Sequence, residues 1–222
     1  MTRRIAAVIA DAEPDVVGLQ EVDRHFSARS DFADQADELS RLLGMRRSYG
    51  PAIDDPPPGP GLPRRQFGNA ALSRTKILGR ANRILPSTAA VEHRALLRIT
   101  VAIGGRTVDV YVTHLEARDR TQRSLQAGAV ASTVAQRGGT AVVLADLNAE
   151  PGASELMPFT AVVQDAWPAV ARPGDRGRTF PAPKPGKRID VVFHTPGIVV
   201  TSARVPETLA SDHRPIVVDI DV

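Results

Sequence analysis

Five short apolar runs in this chain each carry, at or near one end, a residue able to bind a metal or move a proton. Ala141-Val142-Val143-Leu144-Ala145, in the most apolar strand-like stretch of the sequence, leads into Asp146-Leu147-Asn148. Val110-Tyr111-Val112-Thr113 leads into His114, and Asp15 to Gln20 leads into Glu21. Asp190 stands just ahead of Val191-Val192-Phe193, and Ser211-Asp212-His213-Arg214-Pro215 just ahead of the apolar stretch Ile216 to Ile220. Short runs rich in Val, Ile and Leu read as buried strands. The chain is therefore expected to fold around strands whose ends hold its chemistry.

The segments between these runs set the class. Residues 3–12 are predicted to form a helix with Ile5, Val8 and Ile9 on one face, ended by Pro14. A second helix is predicted over 31–43, capped by Ser30 or Asp31 and stopped by Gly44. Residues 51–65 hold Pro56, Pro57, Pro58, Pro60 and Pro63 and read as a loop. A strand over 68–73 follows. Next comes a hairpin, 95–103 and 107–113, around Gly104-Gly105. The alternation of Val108, Val110 and Val112 fits a half-buried antiparallel strand. An amphipathic helix is expected over 119–136 and a short one over 152–158. Strands are expected over 189–194, 198–205 and 214–221. The loop 171–188 carries six basic residues against one acid. With no internal repeat and no composition break, residues 1–222 are expected to form a single α/β domain with mixed sheets.

Composition narrows the chemistry. Hydrophobic residues make up 42% of the chain and aromatics only 4%, so the core rests on Val, Leu, Ile and Ala. The absence of Cys excludes disulfides and thiolate metal sites, so any metal must use oxygen and nitrogen ligands. The net charge of +3 favours anionic partners only weakly and lacks the basic stripe of a dedicated nucleic-acid binder. Lys occurs only at 76, 184 and 187, an Arg bias that reads as coding composition. No apolar run approaches the length of about 18 residues that a membrane span needs.

Each polar strand end admits two readings. Alternation puts Asp146 and Asn148 on one side with Leu147 opposite, so a carboxylate and an amide converge; the same residues also suit an Asx turn. Glu21 is a Mg²⁺ ligand or a surface residue at a strand exit. His114 is a hydrogen-bond donor to an anion or a satisfied strand-end histidine. Asp190 orients another histidine or pairs with Lys187 or Arg188.

Taken in order, these blocks resemble one family. DVVGLQEVD (15–23), GNAALSR (68–74), VTHL (112–115), VLADLNAEP (143–151), RIDVV (188–192) and SDHRP (211–215) are similar to the motifs of the endonuclease/exonuclease/phosphatase superfamily, the deoxyribonuclease-I-like fold. Arg123 and Gln126 fit its Arg-x-x-Gln. The resemblance implies an α/β four-layer sandwich: two mixed β-sheets packed face to face, helices outside, the site in a cleft at one end. It implies a metal held by Glu21 and Asp212, with Mg²⁺ expected and Mn²⁺ as the alternative. His213 would stand beside the scissile phosphate, oriented by Asp190. Asp146 and Asn148 would activate water or assist the leaving group, and His114 would contact phosphate oxygens. Asn69 is a further phosphate contact or a structural turn residue. Arg178 and Lys187, with Arg176, Lys184 and Arg188, are candidates for phosphates beyond the scissile one.

The implied activity is metal-dependent hydrolysis of a phosphodiester or phosphomonoester by in-line attack of water. The few aromatics and compact size favour a small phosphoester or lipid head group over nucleic acid. Cleavage of DNA or RNA is the alternative within the family; a phospho-ligand-binding module without turnover is the alternative outside it. A monomer is expected, cytoplasmic by default. The sequence departs from the family at its start. The usual first strand, ending in Trp-Asn or Tyr-Asn, has no counterpart before the helix at 3–12. A late start-codon assignment is the favoured explanation, over trimming or a naturally short form, and it leaves secretion open. Removal of an interior strand is expected to leave unpaired edges and open apolar faces.

Overall fold

The computed structural model describes residues 1–88 and 91–222. One sheet is antiparallel and contains β1 (Val16–Arg24), β2 (Arg46–Asp55) and β3 (Arg65–Ser73) in the order β1-β3-β2. The second sheet contains β4 (Ile77–Ile84), β5 (Ala95–Ile103), β6 (Arg106–His114), β7 (Ala141–Asp146), β8 (Gln164–Asp165) and β9 (Asp190–His194). Its order is β4-β5-β6-β7-β9-β8, with β6 and β7 parallel and the other pairs antiparallel. A separate hairpin is made by β10 (Val199–Arg204) and β11 (Val217–Asp221).

Side-chain periodicity builds the layers. On β6, Val110 and Val112 point between the sheets, where they meet Ala71, Leu97, Val142 and Val192. Tyr111 points the other way, into a cluster with Val143, Phe193 and the apolar face of α3 (Arg120–Arg137). Phe159 from α4 (Met157–Thr160) stacks on Phe193 there, with ring centroids 5.1 Å apart. The first sheet is covered by α1 (Thr2–Ala12) and α2 (Gln35–Leu43), which with Met45 close Ala6, Ile9 and Leu39 over Leu72. The result is the expected α/β arrangement of two main sheets with helices outside. Gly18 lets the sheets approach: a Cβ there would lie 2.8 Å from Leu144 Cδ1 and 3.1 Å from Val112 Cγ2.

Several local expectations need correction. Val108 to His114 are all buried, not alternately exposed, because α3 covers the face expected to be wet. Residues 51–55 continue β2 rather than starting a loop. Pro51 is tolerated because β2 is an edge strand, where a missing N–H leaves no ladder bond unmade. The second helix starts at Gln35, where Asp34 accepts from Asp37 N at 3.0 Å; the chain before it forms a 3₁₀ turn, Ala28–Ser30. The mostly exposed edge strand β4 carries too few apolar residues to announce itself. The two-residue β8 and the one-turn α5 (Trp167–Val170) were likewise not foreseen.

β1 and β11 do not pair with each other. Between them lies an apolar trough of about 480 Å³, floored by Val110, Val142, Leu144 and Val192 and flanked by Val16–Gln20 and Ile216–Ile220.

Candidate active site

Strand register assembles the site. The parallel β6–β7 pairing sets His114 opposite Asp146, and the antiparallel β7–β9 pairing sets Asp146 opposite Asp190. Three neighbouring strands therefore deliver one polar row at a single end of the sheet. His213 joins it from the segment before β11, its Nδ1 2.8 Å from Asp190 Oδ2. The Phe180 ring packs on the imidazole at 4.7 Å between centroids. The 171–188 loop straps this segment down: Ala182 N donates to Asp212 O at 2.7 Å, and Arg214 N donates to Thr179 O at 2.8 Å.

Asp146 and Asn148 satisfy both readings at once. Asn148 adopts φ 51°, and its N–H donates to Asp146 Oδ1 at 2.9 Å, an Asx turn. That turn brings Asn148 Nδ2 to 2.8 Å from His114 Nε2, while it donates to Leu115 O at 2.9 Å. Leu147 is fully buried on the opposite side, as alternation predicts.

Glu21 stands on a β-bulge. The β1–β3 register shifts between Leu19 and Val22, and Glu21 takes φ 55°, which turns its side chain out of the ladder. It lines a cavity of about 200 Å³ together with Asp146, Asp190, Asp212 and His213. Arg29 reaches it, Nη1 to Glu21 Oε2 at 3.3 Å and Nη2 to Glu21 O at 2.9 Å. Arg29 is itself held by Asp23, a fully buried carboxylate that also accepts from Ser27 and Ser30.

Burial pushes the Asp146 carboxyl up, the charge of Asp190 adds to the rise, and the Asn148 N–H and His213 only partly counter it, leaving it at about 7. Burial pulls His213 down, but the hydrogen bond and charge of Asp190, with Asp146 and Asp212, outweigh it and carry the ring to about 9. Burial, then the Arg94 and His213 charges, hold His114 well below the usual histidine value.

The donor set fits a hard divalent cation. The ligand atoms of Asp146, Asp190 and His213 all lie within 4.8 Å of one another. His213 and Asp190 already bind each other, and Glu21 and Asp212 add carboxylate oxygens to the lining of the same cavity. Carboxylates without thiolates suit Mg²⁺ or Mn²⁺. A cation there would also relieve the repulsion that raises Asp146.

Other predicted residues lie elsewhere. Asn69 is 2% exposed in β3 and donates to Ala95 O at 2.9 Å, tying the two sheets together; it does not line the cavity. Arg178 and Lys187 are exposed on the loop and do not line the cavity either. Arg188 is engaged by Asp165 at 2.6 Å, which removes it as a phosphate contact and frees Asp190 for His213. Arg123 and Gln126 are buried and brace the turn after β6, donating to Glu116 O and accepting from Glu116 N. Sequence reasoning missed Arg29 and Arg94. Arg29 lies in the short 3₁₀ turn Ala28–Ser30, which carries no apolar pattern. Arg94 directly precedes β5, and that place at a strand end was the available signal.

The sequence profile of the Endonuclease/Exonuclease/phosphatase family matches residues 2–213. No curated protein sequence matches the chain. Among solved structures, an endonuclease/exonuclease/phosphatase from Beutenbergia cavernae DSM 12333 is 28% identical with a TM-score of 0.82; the similarity covers 99% of this chain and 66% of that one. A mannosyl-6-phosphatase from Bacteroides thetaiotaomicron VPI-5482 is 19% identical with a TM-score of 0.80, covering 100% and 90% of the two chains. D. rerio TDP2 complexed with single strand DNA product is 19% identical with a TM-score of 0.74, covering 100% and 91%. The last two likenesses are of fold. With its profile match spanning nearly the whole length and its site assembled at one end of paired sheets, the chain belongs to the Endonuclease/Exonuclease/phosphatase family.

Proposed function

We propose that this protein is a divalent-metal-dependent hydrolase of phosphoester bonds. The observation that carries the reading is the His114–Asp146–Asp190 row, with His213 bound to Asp190 and with Glu21 and Asp212 lining the same cavity. Acids and histidines gathered over an oxygen-rich cradle suit an anionic substrate attacked by water. Glu21 and Asp212 would hold Mg²⁺ or Mn²⁺, which would neutralise charge on a phosphate oxygen.

The remaining roles follow from protonation. At neutral pH in the metal-free site, His213 at about 9 keeps its proton, whereas Asp146 at about 7 is able to take one. Asp146 is then the base that accepts a proton from the attacking water, and His213 is the cation that steadies the phosphoryl oxygens and donates to the leaving oxygen. Asp190 holds the imidazole in place through Nδ1. Asn148 and His114 sit beside Asp146 as hydrogen-bonding groups.

A small phosphoester or lipid head group is the favoured substrate class, since the cavity of about 200 Å³ suits a phosphate with a small appendage. Arg176, Arg178, Lys184 and Lys187, all exposed on the loop that straps the His213 segment, offer the grip for a longer nucleic-acid substrate. The test is hydrolysis of bis-p-nitrophenyl phosphate with Mg²⁺ or Mn²⁺. Asp146→Asn and His213→Ala are each expected to lose about 100- to 10,000-fold in kcat. Equal rates in all three proteins would refute the assigned roles, and binding of phosphate without turnover in any of them would favour a phospho-ligand-binding module.

A further inference from the structure

Arg94 directly precedes β5, is 7% exposed, and lies outside the roles assigned above. Its Nη1 is 2.9 Å from His114 Nδ1 and 2.6 Å from Glu92 Oε1; its Nε is buried with no hydrogen-bond partner among the described residues. A guanidinium keeps its charge and offers donors only. On the far side of the ring, Asn148 Nδ2 approaches Nε2 to 2.8 Å and Asp146 Oδ2 to 3.4 Å. His114 thus faces a donor at each ring nitrogen, and a neutral imidazole accepts at only one.

Which donor gives way is decided by freedom to move. Arg94 is enclosed and bound to Glu92, so Nδ1 must supply a lone pair. The proton then stands on Nε2, 3.4 Å from Asp146 Oδ2. Asn148's amide, at the partly exposed side, is left as a second N–H beside the first. We infer that Arg94 is a positioning residue that locks His114 in its Nε2–H tautomer, so that His114 and Asn148 present two convergent N–H donors to one phosphoryl oxygen. This assignment rests on the phosphoester reading for its substrate. The two nitrogens lie close enough for one anionic oxygen to accept from both, a preorganised site for developing negative charge. It also removes His114 as a general base, because its inward nitrogen already carries the proton.

The test reads the tautomer directly, by ¹⁵N NMR of histidine-labelled metal-free protein, in the parent, Arg94→Lys and Arg94→Gln. Lys keeps a donor toward Nδ1; Gln offers an acceptor and permits an Nδ1–H. The parent and Arg94→Lys are expected to show Nδ1 unprotonated and Nε2 protonated at His114. Arg94→Gln is expected to gain the Nδ1–H form and to lose about 100-fold in kcat with KM little changed, with Arg94→Lys recovering most of the loss. An Nδ1–H tautomer in the parent overturns the assignment, as does an unchanged Nε2–H tautomer in a folded Arg94→Gln. The spectrum needs no turnover, so absence of hydrolysis in the parent would count against the phosphoester reading alone.

Discussion

Asp146 is pulled in two directions. Burial and the facing charge of Asp190 favour its neutral form; the Asn148 N–H and His213 favour its anion. The first pair wins, so its titration moves from the ordinary 3.8 to about 7 on folding. A carboxyl raised in this way helps the fold fully below its unfolded value. That help is lost as pH climbs through about 7, where the folded chain must hold a buried anion. In chelator-treated protein, Asp146→Asn is therefore expected to melt several degrees above the parent at pH 8, at about 2–4 °C per kcal/mol for a chain this long, with the gap closing toward pH 4. Thermal denaturation at the two pH values checks it; an equal gap at both would remove the buried-anion cost. The alternation of Asp146, Leu147 and Asn148 was readable because a strand's period is enforced by the backbone itself. Asn69 stayed open between a phosphate contact and a structural residue because a motif residue carries its type and position but not its neighbours; in the fold it is buried between two sheets and links them.

Strands and helices with strong apolar periods came through, including α1, the β5–β6 hairpin and α3 with its Gly138 stop. What failed were edges. β2 contains Pro51 and β4 is mostly exposed, so neither shows the buried alternation that marks a strand. The bulge at Glu21 was invisible as well, since it is set by pairing with β3 rather than by local residues. Edges also define the trough, which lies between β1 and β11, strands that do not pair with each other. Met1 and Thr2 line the cavity at the catalytic end.

For the whole molecule, the family was readable because its motifs are short, local and ordered from residue 15 to 215. The site's working geometry was not, because it depends on contacts between distant positions. His213 meets Asp190 across 23 residues, Arg94 meets His114 across 20, and Asn148 meets His114 across 34. Register makes these meetings: one parallel and one antiparallel pairing align three strand ends, and the 171–188 loop fastens the His213 segment against them. The two sheets thus act as a frame that brings an acid near 7, a histidine near 9 and the carboxylates of Glu21 and Asp212 to one cavity. That frame is proposed to activate water for attack on phosphorus. Hydrolysis of bis-p-nitrophenyl phosphate in ¹⁸O-enriched water, with Mg²⁺ or Mn²⁺ present, tests this at the reacting bond. The label is predicted to appear on the released p-nitrophenyl phosphate. Label in the nitrophenol, or no turnover with either cation, would contradict it.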